Sequence, residues 1–115
     1  MAKYLDVAER ISNSSALTQE QGDVIYMEIV AAFQAQQKII LDFSNVKSMI
    51  SPFLNNAIGQ LYGKYNSDVI KELLELKDFP PTKNATLNVV INNAKKFYAN
   101  QKNFMQTAKD VLNIE

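Results

Sequence analysis

The chain has 115 residues, 47% apolar and 21% charged, with twelve basic residues balancing twelve acidic ones. That is enough for one domain with a single core, and zero net charge argues against an obligate nucleic-acid binder, which would carry a basic excess. With no histidine and no cysteine, Ser-His-Asp and Cys-His catalysis, thiolate zinc sites and disulfides are excluded, and no carboxylate cluster has metal-ligand spacing.

In chain order, "KYLDVAERI", Lys3 to Ile11, has β-compatible residues and reads as a first strand. "SNSSA" is a polar loop. Thr18-Gln-Glu-Gln21 is a capping-box pattern opening a helix that should run to about Gln36, with Ile25, Ile29 and Phe33 on one face beside Tyr26 and Val30. Gly22 inside it costs about 1 kcal/mol against alanine, which marks either close packing or simple tolerance. "KIILDF", Lys38 to Phe43, is a short β-branched run typical of a strand buried on both faces.

After the loop "SNVKSM", Ser51 is placed as N-cap and Pro52 as first helical residue of a second helix. Phe53, Leu54, Ala57, Ile58, Leu61 and Tyr62 form its apolar stripe, and Gly63 lies near its end. Ser67-Asp68 reads as the cap of a shorter helix through "VIKELL", and Glu75 to Phe79 as a third strand. Pro80-Pro81 is a break. Thr82 then caps a long helix with Leu87, Val90, Ile91, Ala94, Phe97 and Tyr98 at core spacing, and a last amphipathic helix carries Phe104, Met105, Ala108, Val111 and Leu112. Phe33, Phe43, Phe53, Phe97 and Phe104 are expected in the core. Lys83, Lys95, Lys96, Lys102 and Lys109 are expected on a solvated face.

Strands separated by helices give an α/β layer fold, with three or four strands in a small mixed sheet and helices mainly on one face. No repeat or long linker divides the chain, so residues 1–115 read as one domain. No signal-peptide pattern and no apolar run of membrane-spanning length is visible, so the expected location is the cytoplasm, without membrane contact. The sequons at Asn13 and Asn84 are expected to be chance matches.

The stretch "IILDFSNVKSMISPFLNNAIGQLY", residues 39–62, resembles the middle of a STAS domain, and more closely the STAS-like domains of unknown function of bacteria and their mobile elements. The resemblance extends to "LTQEQGDVIY" and to "LELKDF…LNVVINNAKKFY", about three quarters of the chain. It implies a small STAS-like layer fold and a regulatory, non-enzymatic module, without cofactor or metal, that binds a protein partner. In the related anti-sigma factor antagonists, a serine at this loop–helix junction is phosphorylated by a kinase with a GHKL-type ATPase fold. Ser51 falls at that position, so the implied partner is such a kinase or an anti-sigma factor, with Ser51 as switch. Here Ile50 stands where the antagonists have an aspartate, and Pro52-Phe53 where they have a serine and a glycine. Ser51 therefore has two readings, switch or plain helix cap.

Asp42, at the carboxyl end of its strand, can hold the Ser44-Asn45 turn or face a ligand, since open α/β sheets bind ligands on that side. The expected partner surface is the loop and helix start at 44–56, with Asp42, Ser44, Asn45, Ser48, Pro52 and Asn55 as contacts. Two other readings stay open: a phage or mobile-element protein that blocks a host complex through its surface, and a module that binds a ligand or nucleic acid. The sequence leaves the oligomeric state and strand order unset.

Overall fold

The computed structural model describes residues 2–111, with side chains as far as residue 99. Its elements in chain order are β1 (Lys3–Asp6), α1 (Val7–Ile11), β2 (Ser15–Ala16), α2 (Gln19–Gln34), β3 (Ile39–Asp42), β4 (Ser48–Met49), α3 (Ser51–Ala57), a 3₁₀ turn (Gly59–Gly63), α4 (Ser67–Leu73), β5 (Leu74–Lys77), a second 3₁₀ turn (Pro81–Lys83) and α5 (Asn84–Val111). The small sheet expected from the sequence resolves into two parallel ones. One has the order β1-β3-β5, and the other pairs β2 with β4. Parallel neighbours require crossover connections, which α2 supplies between β1 and β3 and α3 and α4 supply between β3 and β5.

Register sets the two faces of the main sheet. Leu5, Leu41 and Leu76 are paired across it, as are Ile39 and Leu74. These residues join the core with Ile25, Ile29, Phe33, Phe53, Leu54 and Leu61 from the helices. Alternation turns Tyr4, Ile40 and Glu75 to the other face, followed by Asp6, Asp42 and Lys77. Tyr4, Glu75 and Lys77 are exposed there, so the helices lie mainly on one side.

The Thr18 capping box forms as expected. Gln21 N–H donates to Thr18 Oγ1 at 3.0 Å, and Gln21 Oε1 accepts from Thr18 N–H at 3.0 Å. The helix ends at Gln34, short of Gln36, because Gln36 takes a left-handed φ of 54°. Its N–H and that of Gln37 then return to the carbonyls of Phe33 and Ala32, a Schellman closure without glycine.

Six expectations are corrected. The first strand stops at Asp6, whose carboxylate caps the single turn of α1 by accepting from Glu9 N–H at 3.1 Å. Ser51 does not cap α3. Ile50 does, because β4 keeps the backbone extended one residue further, with Ile50 N–H donating to Ala16 O and Ile50 O accepting from Leu54 N–H. Asn66, and not Ser67-Asp68, caps α4, accepting from Val69 N–H at 2.9 Å. Thr82 lies within a 3₁₀ turn, and α5 runs on as one helix of 28 residues through the point where a last, separate helix was expected. Phe97 is 60% exposed, unlike the buried Phe33, Phe43 and Phe53. The side chains of Phe104, Met105, Ala108 and Val111, and all of Leu112, lie outside the described residues.

Gly22 settles as a packing residue. A Cβ there would lie 2.5 Å from Phe53 O, 2.8 Å from Asn56 Cβ and 3.0 Å from Ala57 N, so its absence lets α2 lie directly on the backbone of α3. This contact positions the start of α3 against the rest of the fold.

Candidate functional site

The site grows from the carboxyl end of the main sheet. Asp6, Asp42 and Lys77 stand in register across β1, β3 and β5. Asp42 is 7% exposed and fully engaged. It accepts from Ser44 N–H at 2.9 Å and from the Tyr4 hydroxyl, while Lys77 Nζ donates to Tyr4 Oη at 3.3 Å. The Tyr4 hydroxyl, and then the Ser44 amide and hydroxyl, hold the Asp42 carboxyl down to a pKa of about 2. The same hydrogen bond raises Tyr4 above the ordinary phenol value. Asn45 Nδ2 donates to Asp6 Oδ2 at 2.9 Å. The Ser44–Asp42 and Asn45–Asp6 hydrogen bonds thus tie the loop after β3 to two neighbouring strands of the sheet.

Beyond these bonds the chain is pinned again. Val46 is buried, and Ser14 O accepts from Lys47 N–H at 2.7 Å and Ser48 N–H at 3.3 Å. The β2–β4 pairing follows, with Ala16 and Met49 paired and buried. Alternation sends the flanking side chains outward. Leu17 and Ile50, one residue beyond the pairing on each strand, are 41% and 43% exposed, and Ser48 and Ser51 are exposed beside Ile50 in the chain. Pro52 is half-buried in the first turn of α3. The result is a rigid ledge with an apolar pair flanked by two serines. Ser51 is the first residue of α3, and the N-cap position before it is held by Ile50, which makes no side-chain cap hydrogen bond.

Asn55 lies one turn further on and lines a separate groove between α3 and α5. The sequence-derived residues therefore divide into three groups: Asp42, Ser44 and Asn45 at the sheet end; Ser48, Ser51 and Pro52 on the ledge; and Asn55 at the groove. Sequence reasoning missed Tyr4, Asp6 and Lys77, which complete the first group, and Leu17 and Ile50, which give the second its apolar character. A signal existed for the last two, as large apolar residues beside a polar loop and a helix start. Their pairing needed the β2–β4 contact.

Among the described residues, no helix is long and apolar enough to cross a membrane. Comparison with curated proteins gave no match, and neither did comparison with solved structures. A family model described as a STAS-like domain of unknown function (DUF4325) matches residues 21–83, from the first turn of α2 to the turn before α5. The matched segment holds most of α2, β3, the Ser48–Pro52 part of the ledge and β5, more than half of the chain, and the protein belongs to the family of STAS-like domains of unknown function.

Proposed function

We propose that the chain is a non-enzymatic interaction module that binds a protein partner through the ledge, Ser48 to Pro52 with Leu17, within the loop and helix start at 44–56. The observation that carries this reading is the exposed pair Leu17 and Ile50 on a loop fixed from both sides. Apolar side chains held outward on a rigid support supply contact area without the ordering cost of a mobile loop. Asp42 and Asn45 serve as the support, and Ser48, Ser51 and Pro52 as contact residues.

Ser51 is suited to regulate that contact. It is exposed and stands at the first helical position and not at the N-cap, so its hydroxyl is accessible to modification. A phosphate next to Ile50 would add about two negative charges to an apolar contact and disfavour the complex through desolvation. The implied partner is a GHKL-type kinase or an anti-sigma factor; a host complex captured instead would favour a mobile-element inhibitor.

Affinity capture from native lysate tests the reading, with wild type, Ile50→Asp and Met27→Asp as baits. Met27 is 68% exposed on α2, ten residues after Leu17 in the chain. A partner kept by wild type and Met27→Asp and lost by Ile50→Asp is expected. Equal retention by all three baits overturns the proposed surface. Ser51→Asp in the same series should weaken capture if the serine is a switch.

A further inference from the structure

The groove between α3, the 3₁₀ turn after it and α5 has a volume of about 260 Å³. Its walls carry four carboxamides, Asn55, Asn56, Gln60 and Asn93, together with Phe97 and Tyr98, and none of its eight lining residues is charged. Two of the carboxamides are fixed in place. Asn56 Nδ2 and Gln60 Nε2 both donate to Asp23 Oδ1, at 3.0 and 2.9 Å, and Gln60 Nε2 also donates to Asn56 O at 2.8 Å. Both Gln60 Nε2 hydrogens are therefore committed, Asn56 Nδ2 keeps one, and the side-chain carbonyl oxygens of both are left as acceptors. Asn55 and Asn93 are solvent-exposed and offer both a donor and an acceptor.

Phe97 is braced although it is exposed. Its ring meets that of Tyr98 edge-on, with centroids 5.0 Å apart. Tyr98 in turn lies directly over Gly63, where a Cβ would come within 2.5 Å of the ring. An aromatic surface held in this way loses little freedom on contact. Asn93 and Phe97 share one face of α5 at i and i+4, so a carboxamide and an aromatic ring are presented side by side.

The geometry points to this groove as the seat of an extended, uncharged peptide segment of a protein partner. A carboxamide repeats the donor and acceptor of a peptide group, so Asn55 and Asn93 suit a main chain. Phe97 suits one apolar side chain of the same segment. Among the described residues the lining gives no counter-charge for phosphate or carboxylate, whose desolvation would go uncompensated. The volume falls below the roughly 300–1,000 Å³ typical of small-molecule sites, and exposed Asn55, Asn93 and Phe97 leave the groove open. A chain passing through suits it better than an enclosed molecule. The inference deepens the partner-binding reading and shares with it only the premise of a protein partner; its contacts lie outside Leu17 and Ile50.

The test selects a phage-displayed library of random dodecapeptides on the purified chain and measures the enriched peptides by fluorescence anisotropy against wild type, Phe97→Ala, Asn93→Ala and Ile50→Asp. Enriched peptides should be uncharged with an apolar anchor, and Phe97→Ala should weaken them by about tenfold or more, the effect of losing an aromatic anchor. Asn93→Ala should weaken them less, and Ile50→Asp should leave them unchanged. In ¹H–¹⁵N spectra the side-chain NH₂ peaks of Asn55 and Asn93 should move on peptide addition. No enrichment, peptides indifferent to Phe97 and Asn93, or shifts at these amides with adenosine or glucose but not with peptide would overturn the inference. Peptides that bind the groove while capture ignores Ile50 would sink only the ledge. Capture that depends on Ile50 without groove-binding peptides would sink only the groove.

Discussion

Gly22→Ala probes the contact that holds the start of α3 in place. On helix propensity alone, alanine should stabilise α2 by about 1 kcal/mol. Packing opposes this, because the added methyl would sit 2.5 Å from Phe53 O and 3.0 Å from Ala57 N, and both are backbone atoms of α3 that no rotamer change can remove. Overpacking of this kind costs about 1–3 kcal/mol, and backbone obstruction puts Gly22 at the upper end. The net expectation is a loss of about 2 kcal/mol, or a fall of about 1 M in the urea midpoint at a slope near 2 kcal/mol/M. Gly59→Ala is the matched control. Its new methyl would meet nothing closer than Val90 Cγ1 at 3.5 Å, so its stability should stay within about 0.5 kcal/mol of wild type. Urea unfolding followed by circular dichroism decides between the terms. A Gly22→Ala midpoint at or above that of wild type would refute the close α2–α3 approach.

The remaining predictions concern caps and pH. Ser51→Ala should change stability by less than about 0.5 kcal/mol, since Ser51 is exposed and Ile50, not Ser51, holds the N-cap position. Asn66→Ala should cost about 1 kcal/mol, since Asn66 caps α4; equal losses in urea unfolding would reverse this assignment. The Asp42 carboxyl is held near a pKa of 2 in the folded chain, against about 3.9 when unfolded. A depressed carboxyl contributes stability above the unfolded value and loses it as pH falls through the folded one. Wild type should therefore exceed Asp42→Asn most above about pH 4, and the gap should narrow toward pH 2 in acid-unfolding curves. A gap constant with pH would contradict the Tyr4–Asp42–Ser44 arrangement.

Elements whose signals are local in the chain were legible from the sequence. The Thr18 capping box needs only four consecutive residues, and the β-branched run at 39–41 identifies the central strand. Elements set by distant partners were not legible. Ser51 reads as a cap next to Pro52, but the pairing of β4 with β2 carries the extended backbone through Ile50 and moves the helix start. Phe97 has core spacing with Val90 and Ala94, yet Tyr98 occupies the place over Gly63 and leaves Phe97 outside. At the site, one of the two readings of Asp42, as holder of the Ser44 turn, agrees with the hydrogen bond it accepts from Ser44 N–H. The ledge was half visible: its serines stood out in the motif, while Leu17 joined it only through a contact across the second sheet.

Site-specific photo-cross-linking in cells tests the central claim most directly. A benzophenone amino acid replaces Ser48 on the ledge in one strain and Met27 on α2 in another, and adducts are identified by mass spectrometry. The account predicts one dominant protein adduct from position 48 and none of that identity from position 27. The same adduct from both positions, or from position 27 alone, would contradict it.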